Sequence, residues 1–281
     1  MASETDSKIL KKLEEQKKKD GTLPQLLEFY QKLLQIQTRV GQRIDVPDPS
    51  SISSTINKQI EQGKPLIGFD KLAIDWPLLR DTFSEVVNLF AEYSELFGPM
   101  PKELRESKPS RVLTKKMVRA WFKGSKLSSS VVGEEVNQTL LKNLIHASLK
   151  PFLVSYSTTL ISLVEQEKWR RGYCPICGGN PDFAFLDTER GARWLVCSRC
   201  DAEWLFQRLQ CPYCGTTDQN ALSYFTDDEG LYRLYVCDQC KHYLKTIDLR
   251  QAKSEVLIPL ERLLTLDMDR QAQEQGFSPC D

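Results

Sequence analysis

Four short cysteine pairs, Cys174-Pro-Ile-Cys177, Cys197-Ser-Arg-Cys200, Cys211-Pro-Tyr-Cys214 and Cys237-Asp-Gln-Cys240, punctuate residues 174–240. The gaps between them are 19, 10 and 22 residues. A long gap, a short one and a long one divide the pairs into two successive sites, Cys174/Cys177 with Cys197/Cys200 and Cys211/Cys214 with Cys237/Cys240. Two residues between cysteines let one tight turn aim both sulfurs at a single ion, at about 2.3 Å in a tetrahedral site. Cys-Pro-Ile-Cys-Gly at 174–178 and Cys-Pro-Tyr-Cys-Gly at 211–215 reinforce this. Proline fixes φ in the turn, and glycine supplies the positive φ that folds backbone beneath the metal. The first site has the usual ribbon spacing and the second is slightly longer. Eight thiolates in two sets of four predict two metal ions per chain, iron or zinc, since both accept tetrahedral sulfur ligation. Four sulfurs leave no open coordination position, so such a site is structural or electron-transferring and does not activate water.

Around these knuckles the apolar period shortens to two. Phe183 and Phe185, then 193–196 and 204–206, read as three short strands bracketing the second pair. Residues 221–225, 231–236 and 243–247 repeat the unit, with a hairpin turn at 227–230. The knuckle–hairpin–knuckle–strand repeat is that of tandem zinc-ribbon or rubredoxin-like modules, at 173–210 and 211–250. Each is too small for much core, so metal should supply most of its folding energy. Residues 255–275 read as one helix within a C-terminal segment, 251–281. The ninth cysteine, Cys280, reads as a frayed surface thiol.

Upstream of 172 only helical periods occur, which makes the fold class α+β. Residues 1–20 read as a polar, frayed arm, and 21–172 as a helical domain. Thr22 is a candidate cap and Pro24 a first-turn residue for a helix carrying Leu26, Leu27, Tyr30, Leu33, Leu34 and Gln37. Residues 45–51 read as a loop before a short helix near 52–62. Asp75 is a candidate cap for a helix that buries Leu79, Phe83, Val86, Val87, Phe90 and Phe97. From 107 to 133 there are seven basic residues and no acid: Lys108, Arg111, Lys115, Lys116, Arg119, Lys123 and Lys126. Val112, Met117, Trp121 and Phe122 accompany them, which predicts a basic amphipathic helix. Its charged face fits a solvated surface, a dock for an acidic partner, or a nucleic-acid or membrane contact. Pro151 starts or kinks a last helix, 152–169.

Composition sets limits on function. The chain has 281 residues, enough for two domains, and its 41% hydrophobic and 27% charged residues are ordinary for a globular protein. No run of about 18 apolar residues predicts a membrane span. Residues 1–8 show neither an apolar signal region nor twin arginines, so a cytoplasmic location is expected, where paired cysteines more often hold metal than disulfides. Zero net charge conceals an asymmetry: residues 1–172 carry 27 Lys+Arg against 21 Asp+Glu, a balance of +6, and 173–281 carry 11 against 17, a balance of −6. Two divalent ions in four-thiolate sites would take the second half to about −10. Nucleic-acid binding by the ribbons, which needs clustered cations, is therefore not expected.

The chain carries no phosphate loop, dinucleotide fingerprint or nucleophile elbow. Of two histidines, His146 reads as a packing residue. His242 follows Cys240 but joins a site that already has four cysteines. No catalytic residue is assigned.

The run 193–215, with Cys197, Cys200, Glu203, Trp204, Arg208, Cys211 and Cys214, resembles the central signature of the formate dehydrogenase accessory protein FdhE family. Cys237-Asp-Gln-Cys240-Lys-His-Tyr-Leu-Lys245 resembles its closing knuckle and strand, Leu266 to Phe277 its C-terminal helix, and, more loosely, Pro24 to Gln37 its first helix. The resemblance implies a cytoplasmic, non-catalytic maturation factor that binds the catalytic subunit of formate dehydrogenase, a molybdenum or tungsten enzyme. Iron in rubredoxin-like sites would fit that family. The ribbons would be docking platforms, with Arg208, Trp204, Trp194 and Tyr243 as candidate partner contacts, since aromatics and arginine dominate interface energetics. For the three aromatic residues, packing over the metal modules is the competing role. A rubredoxin-like electron carrier and a nucleic-acid-binding zinc ribbon remain as alternatives.

Overall fold

The structure, a computed structural model, describes residues 4–18, 24–46, 53–127 and 138–280. Helices α1 (Glu4–Gln16), α2 (Pro24–Gly41), α3 (Ser53–Glu61), α4 (Trp76–Glu92), α5 (Ser94–Phe97), α6 (Lys102–Glu106), α7 (Pro109–Val112), α8 (Lys115–Phe122) and α9 (Gln138–Leu160) come first. Strands β1 (Pro181–Leu186), β2 (Arg193–Cys197), β3 (Glu203–Phe206), β4 (Leu222–Thr226), β5 (Tyr232–Cys237) and β6 (His242–Asp248) follow, then α10 (Ile258–Leu264) and α11 (Leu266–Glu274). The fold is thus the expected α+β: a helical part, a sheet carrying two four-cysteine clusters, and short C-terminal helices. No helix among the described residues is long and apolar enough to cross a membrane. Thr22, loop residues 47–52 and the end of the basic run, 128–133, lie outside the described residues.

Two compact units form, one from residues 1–45 and 69–155 and the other from 46–68 and 156–281. This division differs from a continuous helical domain over 21–172. In the first unit, Asp75 caps α4 by accepting from Leu78 N at 3.0 Å, with Pro77 in the first turn. The expected stripe is buried from Leu79 to Phe90, and Phe90 meets Phe29 of α2 edge-on at 4.9 Å; Phe97 is only half-buried, because α4 stops at Glu92 and Phe97 falls in α5. Residues 4–16 form a helix rather than a frayed arm: Ile9 and Leu13, four residues apart, are both buried, and Thr38 donates to Asp6 at 3.0 Å. Over its described residues the basic run forms two helices, α7 and α8, because Thr114 accepts from Met117 N at 3.2 Å and starts α8 afresh. Pro151 lies inside α9, which begins at Gln138, and so does not start a helix. The carbonyl that an N–H at position 151 would bind is Ala147 O, and Gln37 Nε2 donates to it instead at 2.8 Å. The expected helix over 152–169 stops at Leu160, and Trp169 leaves it to bury its ring and donate to Tyr173 O at 2.9 Å.

In the second unit the two cysteine modules build one sheet, ordered β3-β2-β1-β6-β5-β4. Neighbours are antiparallel except β1 and β6, which are parallel, so the second module continues the first in the same sense. Cys197 ends β2 and Cys237 ends β5, strands of one direction, which places both sets of knuckles at the same end of the sheet. Period-two alternation sends Phe183, Val196, Leu234, Val236, Tyr243 and Ile247 to one face, where Ile258, Met268, Ala272 and Phe277 cover them. The predicted single C-terminal helix divides at Thr265, whose hydroxyl donates to Glu261 O at 2.7 Å. Asp269 of α11 accepts from Tyr243 Oη at 2.7 Å and from buried Lys245 at 2.6 Å. The tail is pinned rather than frayed: Ser278 N donates to Lys241 O at 2.8 Å, and Asn180 Nδ2 donates to Cys280 Sγ at 3.2 Å.

Candidate metal centres

Each cysteine pair is built as the same turn. Gly178 N donates to Cys174 O at 3.0 Å, Asp201 N to Cys197 O at 3.2 Å, Gly215 N to Cys211 O at 3.0 Å and Lys241 N to Cys237 O at 2.8 Å. The donor, four residues after the first cysteine, has positive φ every time: 73° at Gly178, 54° at Asp201, 76° at Gly215 and 58° at Lys241. This turn points amide hydrogens at sulfur. Ile176 N lies 3.3 Å from Cys174 Sγ, and Arg199 N lies 3.4 Å from Cys197 Sγ.

The turns bring the sulfurs together in the sequential pairing. Cys174, Cys177, Cys197 and Cys200 form one set and Cys211, Cys214, Cys237 and Cys240 the other, with sulfurs within 4.8 Å of one another. Cys174 and Cys200 are 3.6 Å apart and Cys177 and Cys197 3.5 Å; in the second set Cys211–Cys240 and Cys214–Cys237 are both 3.7 Å. A tetrahedron with a centre-to-sulfur distance of about 2.3 Å has edges of about 3.8 Å. The spacing therefore fits a four-sulfur ion site and is far longer than a disulfide bond.

The electrostatics favour a cation at each set. Burial pushes the Cys174 and Cys200 thiols well up, while hydrogen bonds from Cys174, Cys197 and Cys200 hold Cys177 well down. Burial likewise raises Cys211 to about 11. At Cys214 desolvation works upward, but the Thr216 N–H and the neighbouring thiols bring it below the ordinary value. Four close sulfurs cannot all lose their protons without a positive charge among them. The first set is wholly buried; in the second, Cys214 is exposed and Cys240 partly so. His242 stands outside the sulfur set, its Nδ1 2.8 Å from Cys240 O.

Residues that cysteine spacing does not reveal hold these knuckles. Leu66 N and Ile67 N donate to Pro175 O and Ile176 O, both at 2.9 Å, laying 63–67 along the first knuckle. The Tyr213 hydroxyl, inside the third pair, is 3.2 Å from Pro181 O and 3.1 Å from Tyr243 O, so it bridges the starts of β1 and β6. Arg262 of α10 reaches the first site: it pairs with Asp201, with Asp182 at 2.7 Å, and donates to Cys197 O at 2.9 Å. Arg193 is 2% exposed, lies 4.2 Å from the Tyr235 ring centroid and donates to Gln210 O at 3.3 Å.

The four candidate partner contacts separate. Trp204 is fully buried and donates to Arg171 O at 2.8 Å, and Tyr243 is buried against α11. Trp194 is half-buried, its ring parallel to Phe185 at 6.1 Å and its indole donating to Asp187 at 3.3 Å. Arg208 is exposed, beside Leu209 at 67% exposure.

Comparison with known proteins places this architecture. A family model described as "FdhE, central domain" matches residues 173–208, the first module. "Protein FdhE homolog" of Shewanella oneidensis is 31% identical over 137 residues, 47% of this chain and 45% of that protein. The crystal structure of the FdhE protein from Pseudomonas aeruginosa superposes with a TM-score of 0.62, covering 98% of this chain and 92% of that one; at 20% identity, that likeness is one of fold. "Protein FdhE homolog" of Aquifex aeolicus is 31% identical over 258 residues, 90% of this chain and 85% of that protein. Similarity on that scale takes in the helical part as well as the cysteine knuckles, and by it the chain belongs to the FdhE family.

Proposed function

We propose that the protein is a cytoplasmic accessory factor that binds the catalytic subunit of formate dehydrogenase and supports its maturation, without itself being an enzyme. Cys174, Cys177, Cys197 and Cys200 bind one metal ion and Cys211, Cys214, Cys237 and Cys240 a second, iron or zinc. The observation that carries this reading is the closed set of four converging sulfurs, twice over, in a chain of the FdhE family. With no coordination position left open, bound metal stiffens the knuckles and fixes the sheet end they share. Of the candidate contacts, Arg208 is the exposed one, with Leu209 beside it, and Trp194 presents part of its ring. Trp204 and Tyr243 act through packing.

The test is elemental analysis and a visible spectrum of protein purified without oxygen, followed by capture of purified formate dehydrogenase catalytic subunit. Two irons or two zincs per chain with a retained subunit support the proposal. A metal-replete chain that retains no subunit overturns it. A second reading, a rubredoxin-like electron carrier, draws on the exposed Cys214, since electron exchange needs a solvent-facing edge. It requires iron and a reversible absorbance change coupled to an acceptor, and zinc in both sites eliminates it.

A further inference from the structure

The cations of α7, α8 and the turn after them form a surface that the metal centres do not use. Lys108, Arg111, Lys115, Lys116, Lys123 and Lys126 are all exposed, and Arg119 alone of the seven basic residues has an ion pair among the described residues, with Asp70. At about 100° per residue, Lys115, Lys116, Arg119 and Lys123 share an arc of about 100°. The opposite side of α8, Met117, Val118 and Trp121, is buried in its own unit.

This arrangement works against helix stability. Lys115 and Lys116 occupy the first turn, where the helix dipole disfavours cations. Lys115, Arg119 and Lys123 repeat like charge at four-residue steps. An anionic partner would turn both penalties into attraction. For single-stranded nucleic acid the patch lacks a stacking platform, because Trp121 is buried and Phe122 half-buried. For a membrane it lacks an insertable face, because the apolar side of α8 is already covered.

We propose that the α7–α8 surface docks an acidic face of a protein partner. The proposal rests on the maturation reading above and deepens it: the partner is the catalytic subunit, held by the helical unit through charge. A surface of this kind mainly sets association rate and orientation and weakens with salt.

The experiment measures the affinity of purified formate dehydrogenase catalytic subunit for the metal-loaded full chain at low and high salt. It compares wild type with the triple variants Lys115→Glu/Lys116→Glu/Lys123→Glu and Lys115→Arg/Lys116→Arg/Lys123→Arg. All three sites are exposed, and circular dichroism and metal content verify the fold. The expected result is a loss of about tenfold or more for the glutamate variant at low salt, near-wild-type binding by the arginine variant, and weakening of wild type with salt. Equal binding by wild type and the glutamate variant overturns the docking surface and leaves the maturation reading standing. No binding by wild type overturns both. Tighter binding to duplex DNA, RNA or phosphatidylglycerol vesicles than to the subunit, abolished by the glutamate variant, also overturns the proposal by assigning the patch to another class of partner.

Discussion

Burying a guanidinium without a carboxylate is costly, because the charge loses its water and gains no opposite charge. Arg193 is so placed: Nε and Nη2 have no hydrogen-bond partner, and burial lowers its pKa. Two neighbours work against this lowering, Tyr235, whose ring lies 4.2 Å away, and after it Cys211 of the second sulfur set. A cation that attracts the thiolates of the second set favours their metal-bound state, so Arg193→Met should loosen metal at the second site by about a few-fold to tenfold. Chelator competition followed by metal counting reads this directly. Unchanged retention with increased stability would mean that Arg193 is simply uncompensated. Asp248 is the opposite case, a fully buried carboxylate held by Arg250 and by Arg233 at 2.7 Å, with its pKa below the ordinary 3.8. A depressed carboxyl contributes stability that is complete above its unfolded value and is lost as pH falls through the folded one. The stability gap between wild type and Asp248→Asn should therefore be widest near neutrality and narrow below about pH 4. A gap independent of pH would show that the charge of Asp248 contributes nothing.

Elements with a strict local signature could be read from sequence. The pairs gave the knuckles, the alternation gave all six strands, and Asp75 before Trp-Pro gave the start of α4. What escaped depends on groups distant in the chain. Pro151 reads as the start or kink of a helix because proline lacks an N–H, whereas α9 runs through it with the Gln37 amide, 110 residues before Ala147, bonded to the carbonyl that proline leaves open. Two knuckle turns announce themselves with Gly178 and Gly215. The other two put Asp201 and Lys241 at positive φ, which no residue type reveals. Asp201 also meets Arg262, whose reach from α10 to the first site has no sequence pattern at all. Helix α10 has no side-chain cap bond at Leu257, so its placement leans on that arginine and on Tyr232 donating to Glu261 at 2.6 Å. Arg262→Ala would leave Asp182 and Asp201 near each other without their cation. Asp182 and Asp201 keep contact with water, at 42% and 26% side-chain exposure, so the expected loss is about 1–2 kcal/mol. Denaturant unfolding should show it together with faster metal release from the first site. A midpoint equal to wild type would mean that apolar contacts alone hold α10.

At the scale of the molecule, the two units draw on different sources of stability. The first has an apolar interior of the usual kind, with Phe29, Phe83, Val86 and Leu144 each at most 1% exposed. The second is discontinuous, and residues 46–68 belong to it because Leu66 and Ile67 bond to the first knuckle. Sequence periodicity could not show this, since it ranks residues by local pattern and these two are apolar in either unit. One face of the sheet is covered by two short helices, and both knuckle sets crowd one end with converging thiols. Without metal those thiols keep some protons and lose the charge that offsets Arg193, so folding energy here is largely binding energy. Removing metal under reducing conditions should therefore melt the second unit while the first persists. Calorimetry should resolve one metal-dependent transition and one that ignores chelator. Hydrogen exchange should show protection lost across β1–β6 and retained in α2, α4 and the first turns of α9. Chelation that leaves the sheet protected would mean that the interface with α10 and α11 suffices and that metal serves another purpose. A single transition destroyed as a whole by chelator would instead make the two units one cooperative body.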